Sequence, residues 1–224
     1  MVRAIIFDND GVLIDSVGPG MRRFREAAAQ AGLTVPEETL LYEHNGTPWE
    51  KYLPKIGATV GWSNDDIRRF EEAYHNLGEE IYQSFPGVND TLATLSAMQV
   101  LLFIVSNRHT TSLYKVLEAA GIEHDRFLII QGFDDYEFHK PDPRVFNHIV
   151  ADCLIPFGVA MRDILYVGDT VTNDLAAAQA HVPTITFVGV TSGTVTYDAF
   201  LAAGLEPMRI LATVTHLPEV LFLL

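Results

Sequence analysis

Short apolar runs recur along the chain at Ala4 to Phe7, Val100 to Val105, Phe127 to Ile130, Ile164 to Val167 and Thr184 to Val188, with helical stretches between them. Runs with no polar alternation suit strands covered on both faces. Between the second and third runs, Leu113, Val116, Leu117 and Ala120 fall on one helical face, and Gly121 supplies a stop signal. Arg144 to Cys153 and Leu175 to Ala180 read as helices in the same way. Strands alternating with helices predict an α/β fold with a parallel, doubly wound, Rossmann-like sheet.

The first two runs are more than 80 residues apart, and the segment between them carries helical periodicity at Met21 to Ala31, Glu37 to Tyr42 and Asp65 to Tyr82 without a convincing strand. This predicts a helical insertion over residues 17–83 and a core made of residues 1–16 and 84–224. Ser84-Phe85-Pro86-Gly87 punctuates the return and could serve as a hinge. A chain of 224 residues can hold one core and a smaller appended domain.

Fifteen basic residues against 29 acidic ones leave a net charge of -14. Such a field repels nucleic acid and anionic membrane surfaces, so neither is expected as a partner. A small phosphorylated ligand stays allowed, because a lysine or a bound metal can invert the potential inside one pocket. Cys153 stands alone, which rules out an intramolecular disulfide and predicts a small buried apolar residue. Asp8, Asn9 and Asp10 interrupt the first apolar run before it could act as a signal peptide, and no run reaches membrane-span length, so a cytoplasmic address is expected. His44, His75 and His109 have no metal-ligand spacing, and no zinc site is expected.

Chemistry concentrates where the runs end. Asp8-Asn9-Asp10-Gly11 follows the first, at the end of a strand where open α/β sheets place ligands. Two carboxylates on one turn can serve as nucleophile and proton-transfer group, as metal ligands, or as a plain solvated loop. Ser106-Asn107-Arg108 follows the second run, where a hydroxyl and backbone N–H groups opening a helix can hold phosphate oxygens or simply cap the helix. Lys140 lies beyond the third and can neutralise a phosphate. Asp169 ends the fourth, and Asp174 follows at the start of a helix, where an acidic residue also suits the dipole.

Taken together, Asp8-Asn9-Asp10-Gly11-Val12-Leu13, Ser106-Asn107, Lys140-Pro141 and Gly168-Asp169 with Asp174 resemble the four motifs of the haloacid dehalogenase-like hydrolase superfamily. The insertion resembles the α-helical cap domain of its phosphoglycolate phosphatase-like subgroup. The resemblance implies a magnesium-dependent phosphatase acting on a small phosphorylated metabolite, with Asp8 as nucleophile and Asp10 as acid and base. It also implies Mg2+ held by Asp8, the Asp10 backbone carbonyl and Asp169, phosphate held by Ser106, Asn107 and Lys140, and Asp174 orienting Lys140 or a metal-bound water. Thr47, Trp49 and Arg108 are candidate specificity residues, although an aromatic beside a turn, as Trp49 is, more often belongs to the core of the cap. Superfamily members acting on carbon–halogen or carbon–phosphorus bonds lack the aspartate seen here at Asp10. His139 replaces a common glycine, and Arg108 a frequent lysine. A sugar phosphomutase with the same nucleophile and a noncatalytic phosphate- or metal-sensing module remain as alternatives. The oligomeric state is not legible.

Overall fold

The computed structural model describes residues 1–78 and 81–223. Six strands form one parallel sheet: β1 (Ala4–Phe7), β4 (Leu101–Val105), β5 (Phe127–Gln131), β6 (Ile164–Gly168), β7 (Thr186–Val190) and β8 (Ile210–Leu211). Their order is β5-β4-β1-β6-β7-β8. The first strand therefore lies inside the sheet, and the connections leave it in opposite directions on its two sides. Such a reversal opens a crevice at the C-terminal strand ends.

Pleating sends alternate side chains of each strand to opposite faces, which explains the unbroken apolar runs. Ile5 and Phe7 of β1, Leu102 and Ile104 of β4, and Leu165 and Val167 of β6 enter one cluster, with helices α5 (Val88–Ala97) and α6 (Thr110–Ala119). Ile6, Phe103, Val105 and Tyr166 enter the opposite cluster, against α7 (Ala176–Ala180) and the segment Val145 to Leu154. That segment is helical as expected, but it starts as a 3-10 turn over Pro143–Phe146 and continues as a π-helical stretch over His148–Leu154. Each fully buried Phe or Ile contributes about 1.5 to 3 kcal/mol. Cys153 is half-buried rather than buried.

Helices α1 (Val17–Gln30), α2 (Glu38–Glu43), α3 (Trp49–Val60) and α4 (Asn64–Asn76) lie between two short strands, β2 (Ile14–Asp15) and β3 (Gln83–Ser84). These helices enclose an apolar cluster of their own, with Phe24 at its centre, 4.3 Å from Phe70 and 5.6 Å from Tyr52 between ring centroids. The antiparallel pairing of Ile14 with Ser84 and of Asp15 with Gln83 brings the entry and exit of this segment side by side. Three details differ from the sequence reading. The α3 helix was not expected, because Pro48, Pro54 and Gly57 weaken the helical signal; Leu53 and Ile56 nevertheless give it a buried stripe. The α4 helix ends at Asn76 rather than reaching Tyr82, since Gly78 turns left-handed at φ +82. The strands β2, β3 and β8 are too short, at two residues each, to show periodicity. Among the described residues no helix is long and apolar enough to cross a membrane.

Candidate active site

The C-terminal ends of β1, β4 and β6 and the loop after β5 converge on a cavity of about 310 Å³, whose other walls come from α1, α3, α4 and the turn before α3. At the end of β1, the Asp8 N–H donates to the Val167 carbonyl at 2.9 Å, which ties the turn to β6. The Asn9 carbonyl then accepts from the N–H groups of Val12, Leu13 and Ile14, folding the chain back tightly. Gly11 is required here twice over. Its φ is +77, and a Cβ would stand 2.4 Å from Asp169 Oδ2.

Asp8 is buried, and its Oδ1 lies 2.7 Å from Lys140 Nζ and accepts from the Asn9 N–H at 2.7 Å. Lys140 Nζ also donates to Asp174 Oδ1 at 2.8 Å and to the Tyr166 hydroxyl at 3.1 Å. The Asp174 carboxylate is fully engaged: Tyr166 donates to Oδ1 at 2.5 Å, and the Thr170 N–H and hydroxyl donate to Oδ2 at 2.9 and 2.5 Å. It sits in a π-helical turn over Val171–Leu175 that follows the β6 tip. Asp174 therefore anchors Lys140. Asp169, at the tip itself, accepts from the Thr194 N–H and hydroxyl at 3.0 and 3.3 Å. The loop carrying Thr194 was not singled out in the sequence, and its position 193 has room only for glycine, because a Cβ there would fall 1.8 Å from Asp169 Oδ2. Small polar residues after an apolar strand were the available signal.

The carboxylates of Asp8, Asp169 and Asp174 offer oxygens within 4.8 Å of one another. One buried lysine faces three buried carboxylates, so negative charge is in excess. Burial pushes the Asp8 carboxyl up, and although Lys140 opposes this, the Asp174 charge adds to it and leaves Asp8 at about 7. Burial and the charges of Asp174 and Asp8 raise Asp169 well above the usual carboxylate range. Burial would also raise Asp174, but the charge and hydrogen bond of Lys140 hold it low. A hard divalent cation shared by Asp8 and Asp169 fits this donor set, since it supplies the missing positive charge to oxygen ligands.

A pH dependence follows. Asp8 is raised from 3.8 to about 7 on folding, so its contribution to stability is complete below the lower value and is lost as pH rises through the upper one. In chelator, the melting temperature is expected to fall between about pH 5 and about pH 8, less so in Asp8→Asn. A saturating divalent cation should raise it more at the higher pH. Equal increments at both pH values would count against a cation on Asp8.

Asp10 is positioned differently. Its Oδ1 accepts from the Ser16 hydroxyl at 2.5 Å and from Arg108 Nη2 at 2.8 Å, and its Oδ2 accepts from Arg108 Nε at 3.0 Å. Burial alone would raise this carboxyl, yet Arg108, Ser16 and Asn9 bring it down to about 2. Arg108 thus grips Asp10, a bidentate pairing that the sequence reading, which gave it a substrate contact, did not foresee. Ser106 is buried at the end of β4, with its hydroxyl accepting from the Arg108 N–H at 3.1 Å.

The Asn107 side chain is engaged with protein. It donates to the Gly46 carbonyl at 2.7 Å and to the Lys140 carbonyl at 3.0 Å, and it accepts from the Lys140 N–H at 3.0 Å. It links the second motif, the lysine loop and the turn before α3. His109 meets Glu50 in the first turn of α3 at 2.5 Å, and Asn173 donates to the Asn45 carbonyl at 3.2 Å, so the turn and the start of the helix after it are held over the strand tips. Thr47 and Trp49 line the cavity. Trp49 is the first residue of α3 and packs on Tyr74 and Tyr52, so it belongs to the cluster of the helical segment and to the cavity wall together. His139 stacks on Phe133 with centroids 3.8 Å apart.

A buried carboxylate cluster able to hold a cation, at strand tips around a reversal in strand order, defines a doubly wound α/β protein with its candidate site in the crevice. Residues 5–188 match the family model described as haloacid dehalogenase-like hydrolase, and the chain belongs to that family. It is 31% identical over 186 residues to a phosphoglycolate phosphatase of Yersinia pestis, covering 80% of this chain and 77% of that one. In fold it is similar to a protein of Haemophilus somnus predicted to be a phosphoglycolate phosphatase, at a TM-score of 0.78 and 23% identity, covering 98% of this chain and 97% of that one. It is also similar to a Thermotoga maritima protein assigned as a beta-phosphoglucomutase, at a TM-score of 0.72 and 21% identity, with both chains fully covered.

Proposed function

We propose that the chain is a magnesium-dependent phosphatase that hydrolyses the phosphate monoester of a small metabolite through an aspartyl-phosphate on Asp8. The observation that carries this reading is the pairing of the buried Asp8 carboxylate with Lys140 at 2.7 Å, in a cavity that Asp10 and Ser106 also line. Residues 17–83 would act as a helical cap over a core of residues 1–16 and 84–224, a division supported by the separate apolar cluster of the helical segment and by the pairing of β2 with β3.

In the first step an Asp8 carboxylate oxygen forms a bond to phosphorus as the bond to the leaving oxygen breaks, and Asp10 gives that oxygen a proton. In the second step Asp10 takes a proton from water, the water oxygen bonds to phosphorus, and the acyl phosphate bond breaks to return the Asp8 carboxylate with inorganic phosphate. Lys140 and the Ser106 hydroxyl hold phosphoryl oxygens throughout, with Lys140 offsetting charge on both partners of the transfer. Asp174 keeps Lys140 aimed, as its 2.8 Å contact supports. Asp8, Asp169 and the Asp10 carbonyl would hold Mg2+, which when bound supplies Lewis-acid stabilisation to the phosphoryl group.

Hydrolysis is favoured over phosphoryl return to a sugar because the turn Gly46-Thr47-Pro48-Trp49 lacks the arginine associated with sugar phosphomutases. With magnesium, a panel of phosphate monoesters is expected to yield inorganic phosphate, and chelator to abolish the release. A sugar 1-phosphate converted to its isomer without free phosphate would establish the mutase instead. No release from any ester would sink the phosphatase reading.

A further inference from the structure

The walls of the cavity above Asp8 are built largely from apolar and aromatic side chains. Met21 and Phe24 come from α1, Trp49 and Tyr52 from α3, Tyr74 from α4, and Tyr82 lies before β3. Trp49, Tyr52 and Tyr74 are half-buried and line the space between the helical segment and the strand tips. Asp8, Asp10, Ser106, Arg108, Lys140 and Asp169 form its floor. The lysine and arginine there are engaged by carboxylates, Lys140 by Asp8 and Asp174 and Arg108 by Asp10. The upper wall adds a further carboxylate, Glu71, beside His75 on α4.

An alcohol with its own carboxylate, such as the glycolate part of phosphoglycolate, would meet the Glu71 charge, and the lysine and arginine of the lining are already engaged by carboxylates. A flat apolar alcohol would instead lie against the aromatic wall, where offset or edge contacts between rings are favourable. We propose that the leaving group is an uncharged alcohol bearing an aromatic ring, received against the wall that Trp49, Tyr52 and Tyr74 form together, and not a small hydroxy acid. This deepens the phosphatase reading and rests on it for the chemistry. The wall acts on the part of the ester that departs, so it selects without touching the phosphoryl group.

The test compares naphthylmethyl phosphate with ethyl phosphate and phosphoglycolate, all of which release alkoxides, so that differences report on the wall. The naphthyl ester is expected to show a kcat/KM about 10-fold or more above both. Tyr52→Ala should lower kcat/KM for the naphthyl ester by a larger factor than for ethyl phosphate. Binding is read separately with the nonhydrolysable naphthylmethylphosphonate in Trp62→Phe, which leaves Trp49 as the only tryptophan. A change in Trp49 fluorescence on titration is expected, and inorganic phosphate should reduce it by competition. Phosphoglycolate turned over as well as the naphthyl ester, or no response of Trp49 fluorescence, overturns the proposal while leaving the phosphatase reading intact. Absence of phosphate release from all three esters overturns the phosphatase reading instead, and the fluorescence titration then still decides whether the aromatic wall takes the ring.

Discussion

Asp8→Asn is expected to lower turnover by about 10⁴-fold or more, because it removes the attacking oxyanion and with it the covalent route. Asparagine has the shape of aspartate and can still accept from the Asn9 N–H, so the turn at the end of β1 should persist. The substitution also removes one of three crowded buried carboxylates, which predicts a melting temperature no lower than that of the parent chain. Loss of activity with retained stability is the signature to look for. Acid quenching during turnover should trap phosphate on the parent protein and none on the variant. Turnover within about 10-fold of the parent would leave a phosphatase without this nucleophile.

Lys140→Met should have the second large effect, and it acts on fold and chemistry together. Lys140 is 3% exposed and is the cation shared by Asp8 and Asp174, so its loss leaves buried carboxylates facing each other. Removing one partner of a buried ion pair costs about 3 to 5 kcal/mol. Burial lowers the proton affinity of the lysine, but Asp174 and Asp8 outweigh burial and keep it charged, which is the state the cluster needs. Turnover should fall by about 10³-fold or more through loss of charge stabilisation at phosphorus. The double variant Lys140→Met with Asp174→Asn separates the two effects. It should recover much of the melting temperature while turnover stays lost. A single variant that melts like the parent would show that Lys140 does not balance this cluster.

The sequence carried the sheet and most of the site for one physical reason. Strands inside a parallel sheet are covered on both faces and appear as unbroken apolar runs, so their ends are marked, and Asp8, Ser106 and Asp169 stand at those ends. Lys140 was placed by its position beyond β5, and its burial came only with the fold. Where the sequence reading fell short, the missing information was long-range. The grip of Arg108 on Asp10 joins residues 98 apart, and the bond from Thr194 to Asp169 spans 25. Asn107 was read as a phosphate ligand because it follows Ser106, and the fold adds what no sequence spacing shows, that its amide joins Lys140 to Gly46. The α3 helix was hidden by its prolines, and the β2–β3 ribbon by its brevity.

The bidentate clasp of Arg108 on Asp10 bears on where the first proton comes from. A carboxyl held at about 2 carries almost no proton in neutral water, so the group assigned to protonate the leaving oxygen waits empty-handed. It waits so only while the clasp holds, because burial acts on this carboxyl in the opposite direction. On the proposed mechanism, withdrawal of the guanidinium is what would let Asp10 take up the proton it hands to the leaving oxygen, so the arginine would work as a latch on the acid.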